Sequence, residues 1–336
     1  MKIANKVLKK HTNEFILLAI FIGIVLLMGA LSPDKFFSVS NFTTMAFQMP
    51  EFGLLALGMM AVILTGGINL SITSTAMLSG IGAAFILSSD LTKASPVLGI
   101  VLAVLFSFGI AVLTGLFNGF FVAYVGVAAM LVTLGSMTLF EGIGLNLTKG
   151  GSISGFPAAF MKLGGGDIFG IPIPLLIYVV AIVVAYFMLE RSNWGTKVYF
   201  TGCNEIATRF SGINTKMTLL KVYVFSSMLA SVAGLVIISR YNSAKVDYGS
   251  SYMMQSVAAV VLGGTSINGG HGTVAGTVIA VAIIQVISTG LNLYGLNRYI
   301  IDIITGAVLI GVLAIRFFSG KRAASKLVKS KEEKAA

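Results

Sequence analysis

Charge is what this sequence has least of. Only 10% of its 336 residues are Asp, Glu, Lys or Arg, against roughly a quarter in a soluble globular domain, a deficit that argues against a water-soluble fold. Cysteine is reduced to Cys203 alone, which rules out an internal disulfide; no Cys or His stands near it at metal-ligand spacing, which argues against zinc. The two histidines, His11 and His271, lie too far apart in sequence to suggest a site by themselves. No G-x-x-x-x-G-K-S/T segment is present, so nucleotide binding by this chain is not indicated. No HExxH, paired His or Ser/His/Asp grouping marks it as an enzyme. The formal charge of +11 sits in tails and short loops and forms no stripe interleaved with aromatics, so nucleic acid is not indicated as a partner.

What the sequence has in quantity is apolar length. Hydrophobic residues make up 56% of it and the mean hydropathy is +0.95. Breaking the chain at charges and turn residues leaves apolar stretches at approximately 15–31, 43–65, 70–88, 97–125, 128–148, 171–190, 219–240, 252–262, 273–293 and 299–317. Most reach the roughly 17–25 residues needed to cross a bilayer core; the eighth is short and suggests a re-entrant or broken helix. Open strand edges have no partners in lipid and no ten-residue alternation is visible, so the spans are read as helices. Four lysines before Phe15–Leu31 mimic a signal peptide, yet the run is long enough to span and more membrane sequence follows it, so it is read as an uncleaved first helix.

The loops created by this map place sixteen Lys and Arg on one side and seven on the other. By the positive-inside rule both termini and the 191–218 loop are cytoplasmic. The expectation is an all-α, polytopic transmembrane helical bundle of about ten helices, with residues 1–318 as the membrane domain. Residues 319–336 form a basic cytoplasmic tail, expected to be disordered and to touch anionic membrane lipid.

Glycine numbers 39, much of it at small-xxx-small spacing inside spans: Ala111, Gly115 and Gly119; Gly80 and Ala84; Gly272 and Gly276. Such spacing lets helix backbones approach closely where lipid offers no hydrophobic drive. Two glycine-rich segments, Gly66 to Ser71 and Gly263 to Gly270, carry polar side chains without charge and read as helix-breaking turns on the cytoplasmic side. Their likeness suggests a duplicated substructure. Asn69 and Ser71 are placed to cap the third helix, with ligand contact as the alternative role.

Acids inside spans are costly and face protein or water. Glu51, Glu141 and Asp302 are expected toward the outer ends of their helices, either snorkelling or pairing with a base such as Arg298, or lining an outward vestibule where they accept hydrogen bonds from a solute. In the longest cytoplasmic loop Ile206, Ala207 and Phe210 share one face between Gly202 and Gly212, which predicts a short surface helix. It either connects two spans or docks a cytoplasmic partner.

At this loop the sequence resembles permease subunits of ABC importers for ribose, galactose and xylose, with Gly202, Asn204, Ala207, Gly212 and Ile213 at positions typical of that family. The likeness extends to Gly66-Gly67-Ile68-Asn69-Leu70-Ser71, to Val261-Leu262-Gly263-Gly264-Thr265-Ser266 with Gly269-Gly270 and Gly272-Thr273, and to Gly290-Leu291-Asn292-Leu293. It departs at Asn69, where the family commonly has an acid, at Glu141, where it commonly has a base, and at Gly126 to Met130, which lacks the usual proline.

The resemblance implies a multi-pass protein of the bacterial inner membrane that imports a monosaccharide, or in related branches a nucleoside or a furanone signal. It implies a second permease copy or similar subunit, cytoplasmic ATPase subunits that hold ATP and Mg, and an extracytoplasmic sugar-binding protein. Under it the chain itself holds no cofactor or metal and hydrolyses nothing. Gly202, Asn204, Glu205, Ala207, Phe210, Ser211, Gly212 and Ile213 would form the ATPase-coupling segment, and Glu51, Asn69, Ser71, Glu141 and Asp302 would border the translocation pathway. The rival reading is an ion-gradient-driven secondary transporter that uses the three intramembrane acids.

Overall fold

The computed structural model describes residues 12–295 and positions 297, 300, 303, 304, 306, 307, 310 and 311. Its long helices are α1 (Thr12–Leu31), α2 (Val39–Ile63), α3 (Ile72–Leu87), α4 (Pro96–Phe120), α5 (Ala129–Thr148) and α6 (Ile173–Tyr186). A second group comprises α7 (Asn193–Cys203), α8 (Glu205–Phe210), α9 (Thr215–Tyr241), α10 (Tyr252–Leu262) and α11 (Val274–Leu293). Single π-turns, Phe121–Val125 and Phe187–Arg191, extend α4 and α6. Strand is confined to two-residue antiparallel pairs, such as Ile153–Ser154 with Ser243–Ala244.

The protein is an all-α polytopic bundle. Among the described residues seven helices are long and apolar enough to cross a membrane, and α3 and α10 are shorter apolar helices. Nine of the ten expected spans thus coincide with helices. Of the tenth only scattered positions are described; Arg298, Asp302 and the 319–336 tail lie outside the described residues.

Burial divides the bundle. Helices α2 and α9 form its centre, most of their length enclosed, whereas α1, α4, α5 and α6 are largely exposed along their apolar windows. A surrounding lipid phase accounts for this inversion, since an apolar face turned outward costs nothing there. Helix α9 packs on α2, α3 and α4, while α11 packs on α1, α2 and α10.

The small residues read from the sequence lie at the closest of these crossings. Ala111, Gly115 and Gly119 are all buried. A Cβ at Gly115 would stand 2.7 Å from the Val224 Cα, and one at Gly119 would stand 3.0 Å from the Leu220 Cα. On the other side of α9, a Cβ on Gly234 would collide with the Ala76 carbonyl. With no hydrophobic drive for helix association in lipid, backbone-to-backbone packing of this kind supplies much of the cohesion.

Candidate functional site

The two glycine-rich turns meet. One joins α2 to α3 and the other joins α10 to α11, and the Gly270 N–H donates to the Leu64 carbonyl at 2.9 Å. Into this junction runs the end of α7. A Cβ on Gly202 would collide with the Leu64 carbonyl, and one on Gly270 with the Cys203 backbone. Neither contact leaves room for a side chain, which explains glycine at both positions. Gly202 therefore does not bound the surface helix as expected; it lies inside α7, locked against the first turn.

Further ties fix α7 in place. The Tyr199 hydroxyl donates to the Gly272 carbonyl at 2.8 Å; burial, with Glu190 adding to it, pushes that hydroxyl above its ordinary pKa, so it remains a donor. Glu190 accepts from the Val274 N–H at 2.7 Å, at the helix N-terminus where a carboxylate is most favourable.

From this anchored end the chain turns outward into α8. Asn204 caps the helix, its Oδ1 accepting from the Ala207 N–H at 2.9 Å, and Glu205 opens the first turn, where an acid suits the dipole. Thr208 is the buried residue of α8, its hydroxyl donating to the Phe200 carbonyl at 2.8 Å. The apolar face read from the sequence points away from the protein: Ile206 is 64% and Phe210 84% exposed, and Ala207 is exposed beside them. Ser211 is exposed too; Gly212, with φ +82°, ends the segment, and Ile213 is half-buried after it.

Toward the opposite end of the bundle α2, α9, α10 and α11 enclose a polar cavity of about 340 Å³, at the small end of the roughly 300–1,000 Å³ typical of small-molecule sites. Gln48, Arg240, Tyr252, Gln255, Gln285 and Asn292 contribute polar lining, and Phe52 an aromatic face. Gln285 donates to Gln48 Oε1 at 3.1 Å and to Thr289 Oγ1 at 2.9 Å. Such a wall offers paired donors and acceptors to a neutral polyhydroxy solute.

Glu51 lies behind this wall. It is fully buried midway along α2, next to Pro50, not at the outer end of its helix. Its Oε1 accepts from Arg240 Nη1 at 2.6 Å and its Oε2 from the Tyr252 hydroxyl at 2.7 Å. Both oxygens are committed to two cavity-lining side chains, so Glu51 positions the lining residues instead of presenting itself to a solute. Glu141 is half-buried midway along α5, which is not among the helices that wall the cavity.

Asn69 and Ser71 also leave their expected roles. No side chain caps α3. Asn69 Nδ2 instead donates to Ser226 Oγ at 3.1 Å, Ser71 Oγ to Asn69 Oδ1 at 2.8 Å, and Asn118 Nδ2 to Ser71 Oγ at 2.8 Å. These fully buried groups bind α3, α4 and α9 together, because in the interior of the bundle partners on neighbouring helices replace water. The sequence reading missed Arg240, Tyr252 and the glutamines. Their signal was present in Gln48, Gln255 and Gln285, uncharged polar residues in or beside apolar spans. Among the described residues no group of three or more His, Cys, Asp or Glu could hold a metal ion.

An all-helical bundle that turns apolar faces outward and encloses a polar chamber has the architecture of a multi-pass membrane protein. Residues 41–313 match the family described as "Branched-chain amino acid transport system / permease component", and the chain belongs to it. It is 38% identical over 315 residues to the ribose import permease protein RbsC of Haemophilus influenzae, covering 92% of this chain and 94% of that one. It is 36% identical over 304 residues to RbsC of Bacillus subtilis, covering 89% and 91%. The autoinducer 2 import system permease protein LsrD of Photorhabdus temperata is 30% identical over 311 residues, covering 90% of each. No solved structure matches significantly. The chain is thus a permease component of the ABC import type, a multi-pass protein of the bacterial inner membrane.

Proposed function

We propose that this chain imports a monosaccharide as one of two permease subunits, receiving the sugar from an extracytoplasmic binding protein and drawing work from cytoplasmic ATPase subunits that hold ATP and Mg. The charge pattern puts the glycine junction and α8 on the cytoplasmic side, so the polar cavity opens toward the outside. The family and the ribose permeases among its relatives support the class of solute, as does the donor- and acceptor-rich lining around Gln48, Gln255 and Gln285, whose one cation, Arg240, is paired with Glu51.

The observation that carries the coupling role is the contact of Gly202 and Cys203 with both glycine turns. A groove on an ATPase subunit would take the exposed Ile206, Ala207 and Phe210 face. Displacement of α8 then passes through α7 without slack into the ends of α2, α3, α10 and α11. Three of these helices, α2, α10 and α11, wall the cavity. A push at the surface helix thereby changes the cavity's shape, which is what alternating access requires. The permease supplies no chemical step. Its residues bind, orient and release the solute.

The rival ion-gradient mechanism would use Glu51, Glu141 and Asp302 as coupling acids; of these Glu51 has both oxygens engaged, and Glu141 stands on α5, apart from the helices that wall the cavity. The test is uptake in vesicles reconstituted with the chain, its ATPase and its binding protein. Sugar should accumulate only with ATP present and should survive dissipation of ion gradients. Accumulation by the chain alone would refute the proposal, and a binding protein selective for autoinducer 2 would move the solute class to the one named for LsrD.

A further inference from the structure

On the outer surface, α4, α6 and α9 leave a groove of about 750 Å³ that exposes the otherwise enclosed α9. Its walls include Leu116, Val180, Val184, Met228 and Val232, and its single charged lining residue is Lys221. Trp194, from the start of α7, lines the same end as Lys221. Along α9 the groove runs from Leu220 to Val232, about 18 Å at the helical rise. Half of a bilayer's hydrocarbon core is about 15 Å.

We infer that this groove binds an anionic diacyl phospholipid of the cytoplasmic leaflet, an acyl chain lying along α9 and the headgroup phosphate at Lys221. The length matches one leaflet and not two. Lys221 is exposed and forms no ion pair with another described residue, and it falls at the cytoplasmic end by the charge pattern, where a phosphate would lie. A transmembrane helix from another chain fits less well: it would run the full bilayer core of about 30 Å, whereas the groove follows α9 for only about 18 Å at the helical rise. Trp194 closes this end of the groove, its ring packed edge-on against Phe225, one turn along α9 from Lys221. Because Trp194 belongs to α7, the lipid headgroup region adjoins the helix that ends at the glycine junction.

The test reads lipid directly and is independent of transport. Full-length protein is extracted from membranes of mixed phosphatidylglycerol and phosphatidylcholine, and the retained lipid is measured by mass spectrometry. Val184 lines the groove and is 43% exposed, whereas Val183 is 47% exposed on the same helix and does not line it. Val184→Trp, and independently Val180→Trp, should lose about one retained phospholipid per chain, while Val183→Trp should retain it. Lys221→Gln should lower the preference for phosphatidylglycerol about 5-fold. Equal retention in Val184→Trp, Val180→Trp and Val183→Trp would overturn the proposal. So would an unchanged headgroup preference in Lys221→Gln, or dissociation of a protein subunit by the groove-filling variants in place of lipid loss.

Discussion

Replacing Glu51 by alanine is the sharpest perturbation available. It strips Arg240 and Tyr252 of a shared acceptor, and the two bonds are short, at 2.6 and 2.7 Å. Removing one partner from a buried ion pair costs about 3–5 kcal/mol. The Arg240 side chain is 23% exposed and borders the cavity, so water recovers part of that loss and the lower end, about 3 kcal/mol, is expected. Arg240→Ala should cost a similar amount by leaving the buried carboxylate without its cation and with the Tyr252 hydroxyl as its remaining donor. The double variant removes both charges and should be less destabilised than the sum of the two by about 2 kcal/mol, a coupling of the size seen between contacting groups. Tyr252→Phe removes one hydrogen bond to a charged acceptor and should cost about 1.5–3 kcal/mol. Thermal midpoints of the detergent-solubilised protein, with denaturant titration for the free energies, read all four. Additive losses in the double variant would refute the claim that Glu51 and Arg240 act as a pair across the cavity wall.

Three other outcomes follow from the same geometry. Ala207→Glu with Phe210→Glu should abolish co-purification with the ATPase while leaving helix content by circular dichroism unchanged, since both side chains are exposed on α8. Gly202→Val should preserve membrane insertion but lower the thermal midpoint and uncouple ATP hydrolysis from uptake, because the added side chain meets the Leu64 carbonyl; normal sugar-stimulated hydrolysis would count against the junction's role. Gln285→Leu should weaken sugar uptake about 10- to 100-fold through lost hydrogen bonds to Gln48 and Thr289 as well as to the solute, with ATPase association intact; wild-type concentration dependence of uptake would remove Gln285 from the pathway.

The spans were legible because lipid imposes a length and a polarity that a sequence cannot hide, and the short helix at Glu205–Phe210 was legible from the grouping of Ile206, Ala207 and Phe210. The glycine turns were readable as turns. Their mutual contact was not, because the Gly270 to Leu64 bond joins residues some two hundred positions apart. The acids misled for a related reason. Glu51 reads as an isolated charge along the chain, yet its base is Arg240, which sequence position assigns to a loop when it ends α9. Asn69 and Ser71 resembled helix caps because capping is a local rule, and the buried groups of Asn118 and Ser226 that claim them are invisible locally.

Helix α9 reaches from the cytoplasmic loop at Thr215 to the cavity cation at Arg240 without a break, a rigid rod about 40 Å long. Pivoted near Leu220 and Val224, where Gly119 and Gly115 meet it, such a rod converts a tilt of about 5° into roughly 2 Å of travel at its far tip. The guanidinium and the phenol hydroxyl that share Glu51 would then part company by enough to break a hydrogen bond. A solute seated among them would feel its binding site dissolve through a tilt of a few degrees.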